Sequence, residues 1–183
     1  MKYVIEHLEP ELFKWCVIEY KHISKIVGRE NLIITNIKEK EKLKDYAEMH
    51  SENVGELGFK DVCILDPGAN KTLEPSDAKK FKYIVLGGIL GDNPPRKRTK
   101  EELTLEGERR NLGKKQMATD NAVYVAKEIL NGKRFEDLKF IDGIEVETAE
   151  GESCILQFSY VVVDDKPLIS DELVEYLKKE ETF

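Results

Sequence analysis

Three closely spaced glycines follow an apolar run near the middle of the chain, and they are the residues best suited to contact a small molecule. Lys82 to Leu86 are predicted to form a buried strand, and Gly87, Gly88 and Gly91 leave the backbone bare just beyond its carboxyl end. Open α/β sheets bind ligands at that end of their strands. The loop therefore predicts one wall of a ligand site, although its spacing matches neither the P-loop nor the dinucleotide fingerprint. A glycine-rich connection without a ligand is the alternative.

Four acidic residues stand at predicted strand ends or beside this loop: Glu6, Glu19, Asp66 and Asp92. Carboxylates in such positions are candidates for acid–base chemistry. Structural roles are the alternatives. Asp92 can cap the turn before Pro94, and Glu6 can pair with a surface lysine. Glu19 lies off the apolar stripe of its predicted helix and is expected to face water.

A basic run directly follows the glycine loop and contains Arg96 and Arg98. It predicts either a solvated surface or a basic rim facing RNA or an RNA-rich particle. The net charge of −7 argues against indiscriminate binding to nucleic acid.

Strands alternate with helices along the first 132 residues. The hydrophobic pattern predicts strands at 2–5, 32–35, 61–65 and 82–86, and helices at 9–27, 38–50, 74–81 and 119–130, the last capped by Thr119. Such alternation predicts an α/β fold with a mostly parallel sheet and helices on both faces.

Residues 133–183 differ from the rest because extended segments predominate. A hairpin turn is predicted at Glu150-Gly151, and a last helix is predicted after Ser170. The chain is therefore divided into a domain at 1–132 and a small hairpin and helix extension at 133–183 that packs on it.

The composition fits a cytoplasmic protein with one core. Its 183 residues contain no apolar run of the roughly 20 residues that a membrane span requires. Cys16, Cys63 and Cys154 each lie in an apolar pattern and are predicted to be reduced core residues. The three histidines form no pair with ligand spacing, so no metal site is predicted.

Several motifs together are similar to one known family. They are Met1-Lys-Tyr-Val-Ile-Glu-His7, Glu19-Tyr20, Leu65-Asp66-Pro67, Gly87-Gly-Ile-Leu-Gly-Asp-Asn-Pro-Pro-Arg-Lys-Arg-Thr-Lys100, Leu112-Gly-Lys-Lys-Gln-Met-Ala-Thr-Asp120 and Phe135-Glu-Asp-Leu-Lys-Phe-Ile-Asp142. The chain resembles, nearly end to end, the SPOUT-class methyltransferases that include the fungal enzyme modifying an arginine of a ribosomal small-subunit protein. Archaeal relatives are described as predicted RNA methyltransferases.

The resemblance implies a deep trefoil knot at the carboxyl edge of the sheet, with S-adenosylmethionine bound among the knotted loops. The cofactor-binding residues that it implies are Leu65, Asp66, Pro67, Leu86, Gly87, Gly88, Ile89, Leu90, Gly91, Pro94, Leu112, Gly113, Gln116, Met117, Ala118 and Thr119. Many relatives carry histidine where Asn93 stands, so any role of that imidazole is absent here.

The nature of the methyl acceptor separates the candidate functions. An arginine acceptor must lose a proton from a guanidinium, whose pKa lies far above neutral pH, so it needs carboxylates to hold and polarise it. Asp92, then Glu19 and Glu6, are the expected catalytic residues. Arg96 and Arg98 are the expected substrate-binding residues. The alternatives are an RNA methyltransferase, as many SPOUT enzymes are, and a non-catalytic ribosome-associated module. We expect a monomer, because the C-terminal strands can cover the surface through which many SPOUT proteins dimerise.

Overall fold

A six-stranded parallel sheet forms the centre of the protein. The structure, a computed structural model, describes residues 1–90, 103, 105–149 and 152–179. The strands are β1 (Lys2–His7), β2 (Leu32–Thr35), β3 (Glu48–Met49), β4 (Val62–Leu65), β5 (Tyr83–Gly88) and β6 (Glu108–Arg110). Their order in the sheet is β3-β2-β1-β5-β4-β6, and every neighbouring pair is parallel. The predicted mostly parallel sheet is confirmed.

The two long helices, α1 (Lys14–Val27) and α2 (Thr119–Leu130), pack together on one face of this sheet. Side chains alternate between the two faces of a strand, so Ile5 of β1 joins the cluster beneath these helices, whereas Val4 joins a second cluster on the opposite face. Within the described residues, that opposite face is covered by a short 3₁₀ helix, Val54–Leu57, and by Leu103 and Leu105.

Two predicted helices differ in the structure. The segment 38–50 contains a 3₁₀ helix, Lys40–Leu43, followed by β3, which pairs with the free edge of β2. Pairing with a sheet edge outweighs local helix propensity in this segment. The segment 74–81 forms a 3₁₀ helix, Pro75–Lys79.

The C-terminal part forms a separate antiparallel sheet and a last helix. Its strands are β7 (Phe140–Ala149), β8 (Glu152–Val163) and β9 (Lys166–Pro167), and α3 (Asp171–Lys179) follows them. A third apolar cluster joins this sheet and α3 to Ile18 of α1, and Lys21 pairs with Glu172 at 3.2 Å. The extended segments and the last helix are confirmed, whereas the division at residue 132 stays a prediction. Glu150 and Gly151 lie outside the described residues.

The remaining expectations about the architecture have different outcomes. Cys16 and Cys63 are free and buried, as predicted, and Cys154 is half-buried. No helix among the described residues is long and apolar enough to cross a membrane. The knot implied by the resemblance stays a prediction, because residues 91–102 lie outside the described part of the chain.

Candidate active site

Three loops meet at the carboxyl edge of the sheet, where they follow β4, β5 and β6. These strands are neighbours in the order β5-β4-β6. The loop after β4 is tied to β6, because the Asp66 N–H donates to the carbonyl oxygen of Arg110 at 2.8 Å. The segments at 65–67, 86–90 and 112–119 therefore share one edge, as parallel strands require.

Gly88, the last residue of β5 and the start of the glycine loop, lies against the buried side chain of Tyr20. A Cβ at this position would lie 2.3 Å from the Tyr20 hydroxyl oxygen and 2.8 Å from Ile5 Cγ2. The same hydroxyl lies 2.8 Å from His7 Nδ1, and burial lowers the pKa of His7. Only glycine therefore lets this loop approach α1 so closely.

Glu9 fixes the next part of the same loop. Leu90 N–H donates to Glu9 Oε1 at 2.9 Å, which links the glycine loop to the connection between β1 and α1. Ile89 and Leu90 are half-buried, so their apolar side chains are partly available to a ligand. Glu9 was missed at the sequence level, because its partner lies 81 positions away.

The loop after β6 is held between the sheet and β8. Gly113 has φ +81°, and a Cβ there would lie 2.7 Å from Phe135 Cζ, so conformation and packing both require glycine. Ser159 N–H of β8 donates to the carbonyl oxygen of Gln116 at 2.8 Å. Met117 is half-buried at the end of this loop.

Glu19 joins the start of α2 to α1. The expectation that it faces water is wrong, since it is only 7% exposed. Ala118, at the N-cap of α2, has no side-chain acceptor, and Glu19 Oε1 accepts the Thr119 N–H at 2.9 Å instead. Burial, with a further contribution from Asp120, raises the pKa of Glu19 to about 8. The predicted cap, Thr119, is the first residue of the helix.

Glu6 lies on the other face of the sheet. Its carboxylate accepts hydrogen bonds from the Thr35 hydroxyl and from Val54 N–H, the latter at 3.0 Å. Burial raises the pKa of Glu6. The structure thus separates Glu6 from Glu19 by the thickness of the sheet. The other expected site residues, Gly91, Asp92, Pro94, Arg96 and Arg98, lie outside the described residues.

Asp66 lines a polar cleft at the ends of β4 and β6. Asp66 Oδ1 accepts the Gly68 N–H at 2.8 Å, and Oδ2 accepts from Arg109 Nη1 at 2.9 Å. The cleft has a volume of about 440 Å³ and is lined by Asp66, Gly68, Ala69, Asn70, Lys71 and Arg109. The sequence around Arg109 is dense in charged residues and gave no indication that Arg109 pairs with Asp66.

Comparisons with known proteins agree along nearly the whole chain. The sequence profile of the family described as "Protein arginine N-methyltransferase SFM1-like" matches residues 2–182. Protein arginine N-methyltransferase SFM1 of Saccharomyces cerevisiae is 38% identical over 204 aligned positions, which cover 98% of this chain and 95% of the yeast protein.

Solved structures extend the similarity to three dimensions. The yeast arginine methyltransferase SFM1 complexed with SAH superposes with a TM-score of 0.86 at 36% identity, covering 97% of this chain and 94% of the yeast chain. Structures of the yeast enzyme complexed with SAM and with MTA have TM-scores of 0.85 and 0.82.

A Trm10 structure from Thermococcus kodakaraensis, at 18% identity and a TM-score of 0.56, covers 75% of this chain and 96% of its own; it shares the fold alone. Because the profile and the yeast enzyme both align along almost the whole chain, the chain belongs to the family of SFM1-like protein arginine N-methyltransferases.

Proposed function

We propose that this protein transfers a methyl group from S-adenosylmethionine to an arginine side chain of a ribosomal or translation-associated protein in the cytoplasm. The observation that carries the proposal is the 38% identity, across 98% of the chain, to a yeast protein arginine N-methyltransferase. The yeast enzyme has been crystallised with SAM, which is S-adenosylmethionine, and with SAH, which is S-adenosylhomocysteine. These complexes support the same cofactor here.

The residues at the carboxyl edge of the sheet fit this cofactor. Bare backbone at Gly87 and the half-buried side chains of Ile89, Leu90 and Met117 suit an apolar adenine ring, with backbone amides available for its polar edge. The cofactor supplies a methyl group carried on a sulfonium. The protein must then align the acceptor with that methyl group and manage the proton that the acceptor loses.

We propose different roles for the three candidate carboxylates. Asp92, in the glycine loop, is the first candidate to contact the acceptor guanidinium. Glu19 accepts a backbone N–H at the end of the third loop and has a raised pKa, which supports a positioning role for it. Glu6 is buried against Val54 on the far face of the sheet, which supports a role in folding.

A methyl-transfer assay with ribosomal fractions tests the proposal. The purified protein and labelled S-adenosylmethionine are added to ribosomes from a strain that lacks this gene, and protein and RNA are separated afterwards. We expect label in one protein band, at arginine, and its loss with Asp92→Asn when binding of S-adenosylhomocysteine is retained. Label in RNA would instead support the RNA alternative, and would direct attention to the basic run that contains Arg96 and Arg98.

We also propose that the protein is a monomer. Ile18 of α1 is buried beneath the C-terminal sheet and α3, so this part of α1 is unavailable to a second copy. Light scattering after size exclusion should give the mass of one chain, 21.1 kDa. Twice that mass would contradict the monomer.

A further inference from the structure

The cleft at the ends of β4 and β6 carries charge of both signs. Asp66 supplies a carboxylate, and Arg109 and Lys71 supply a guanidinium and an ammonium group. We propose that this cleft binds the amino-acid end of S-adenosylmethionine, whose α-carboxylate and α-ammonium groups form a zwitterion. The inference rests on the proposed function and assigns a binding role to Arg109 and Lys71.

Arg109 is held in place before any ligand arrives. Its Nη1 donates to Asp66 Oδ2 at 2.9 Å, and this is its one side-chain hydrogen bond to the described residues. A guanidinium has five N–H donors, and the hydrogen bond to Asp66 uses one of them. The side chain is 32% exposed, which leaves it open to the cleft. A fixed and partly exposed guanidinium suits bidentate binding of a carboxylate.

Asp66 complements the other charge of the zwitterion. Its carboxylate is oriented by the Gly68 N–H and by Arg109, and each carboxylate oxygen retains a further acceptor site. The α-ammonium group of the ligand can therefore donate to the same carboxylate that orients the guanidinium. Lys71, which is exposed at the rim, adds a second positive charge for the α-carboxylate.

The cleft lies beside the glycine-rich end of β5 in the order of the strands. β4 is hydrogen-bonded to β5, which ends at Gly88, and also to β6, which carries Arg109. Neighbouring strands are about 4.8 Å apart, so within the sheet β5 lies roughly 5 Å from β4 and roughly 10 Å from β6. An amino-acid chain attached through sulfur to an adenosine group spans a distance of this order.

Two ligands that differ only at the proposed contact provide the test. SAH, which is S-adenosylhomocysteine, retains the amino-acid end, whereas MTA, which is methylthioadenosine, lacks it; the yeast enzyme has been crystallised with each. Binding of both ligands is measured by titration calorimetry on the wild-type protein and on Arg109→Gln.

We expect Arg109→Gln to lower the affinity for SAH about 10-fold or more, as loss of a charge-assisted hydrogen bond predicts. The affinity for MTA should change by less than about 2-fold. Arg134→Gln is the matched control, because Arg134 also pairs with an aspartate but is exposed and directly precedes the 3₁₀ helix Phe135–Asp137. It should change neither affinity. Lys71→Gln, at an exposed position, should weaken SAH selectively by a smaller factor. It tests the site even if Arg109→Gln fails to fold.

Two results would overturn the inference: the cleft variants lose affinity equally for SAH and MTA, or they lose affinity for neither ligand. If the wild-type protein binds neither SAH nor MTA, the proposed function fails first, and the inference fails with it. Selective loss of SAH supports both.

Discussion

Gly88→Ala is the substitution for which the structure gives the clearest consequence. The new methyl group would lie 2.3 Å from the Tyr20 hydroxyl oxygen and 2.8 Å from Ile5 Cγ2, both distances well inside van der Waals contact. Tyr20 is buried between α1 and the sheet, so it has no free volume into which to move. The loop must therefore shift away from α1, or the core must open.

The size of the effect follows from two opposing contributions. Overpacking a close-packed core costs about 1–3 kcal/mol, whereas replacing glycine within a strand recovers roughly 0.5–1 kcal/mol of backbone entropy. A contact of 2.3 Å is severe, so the overpacking cost should lie in the upper half of its range, about 2–3 kcal/mol. The net loss should then be about 1–2.5 kcal/mol, which lowers the melting temperature by roughly 2–10 °C for a chain of this size. Because the same loop is proposed to bind the cofactor, the affinity for S-adenosylhomocysteine should fall as well.

Urea unfolding and ligand titration measure both effects. Gly87→Ala is the matched control in the same loop, since its Cβ would meet the ends of flexible side chains of Leu8 and Ile89 at 3.1 and 3.2 Å. It should therefore cost less. Tyr20→Phe removes the hydroxyl, so the Gly88→Ala/Tyr20→Phe double variant should lose at least 1 kcal/mol less than the sum of the single variants. The reasoning would be refuted if the stability losses of the two single variants summed to that of the double variant within about 0.3–0.5 kcal/mol. It would also be refuted if Gly88→Ala had the stability and ligand affinity of the wild-type protein.

Three further predictions concern carboxylates. The pKa of Glu19 is raised from 4.5 to about 8, so the free energy of unfolding falls as the pH rises through this interval. Glu19→Gln keeps an acceptor for the Thr119 N–H of α2 but does not titrate. Urea unfolding should therefore show a smaller loss of stability between pH 6 and pH 9 for Glu19→Gln than for the wild-type protein. Asp77 accepts two hydrogen bonds of 3.0 Å from the buried Arg110, which also pairs with Glu108. Asp77→Ala leaves that second partner in place, so it should cost about 1–3 kcal/mol by urea unfolding, and an unchanged stability would exclude this role. Glu9→Ala should lower the affinity for S-adenosylhomocysteine about 5-fold, because the Leu90 N–H loses its acceptor, while Glu9→Gln should bind nearly as well as the wild-type protein. Equal affinities for the two variants would contradict this role of Glu9.

The parallel sheet and its glycine loop could be predicted because their signals are local. The four central strands, β2, β1, β5 and β4, are short apolar runs, and Gly87 and Gly88 extend β5 beyond its predicted end at Leu86. The two edge strands, β3 and β6, are short and largely charged, and the hydrophobic pattern did not predict them. The error at 38–50 has a physical cause: Leu43 and Ala47 are buried there, but the free edge of β2 pairs with Glu48–Met49 and prevents a continuous helix.

The contacts within the site could not be predicted, because they join residues far apart in the chain. Glu19 is buried only because α2 begins beside it, and the N–H that it accepts lies 100 positions further on. The pairing of Asp66 with Arg109 requires β6 to lie beside β4, which follows from the order of the strands and from no local pattern.

The central claim is that the methyl acceptor is an arginine of a protein. The most direct measurement is quantitative mass spectrometry of arginine methylation in the ribosomal proteins of a strain that lacks this gene, before and after complementation. We predict that methylation at one arginine disappears in the deletion strain and returns with the wild-type gene, but does not return with Asp92→Asn. An unchanged pattern of arginine methylation, together with a methyl group lost from ribosomal or transfer RNA, would contradict the account.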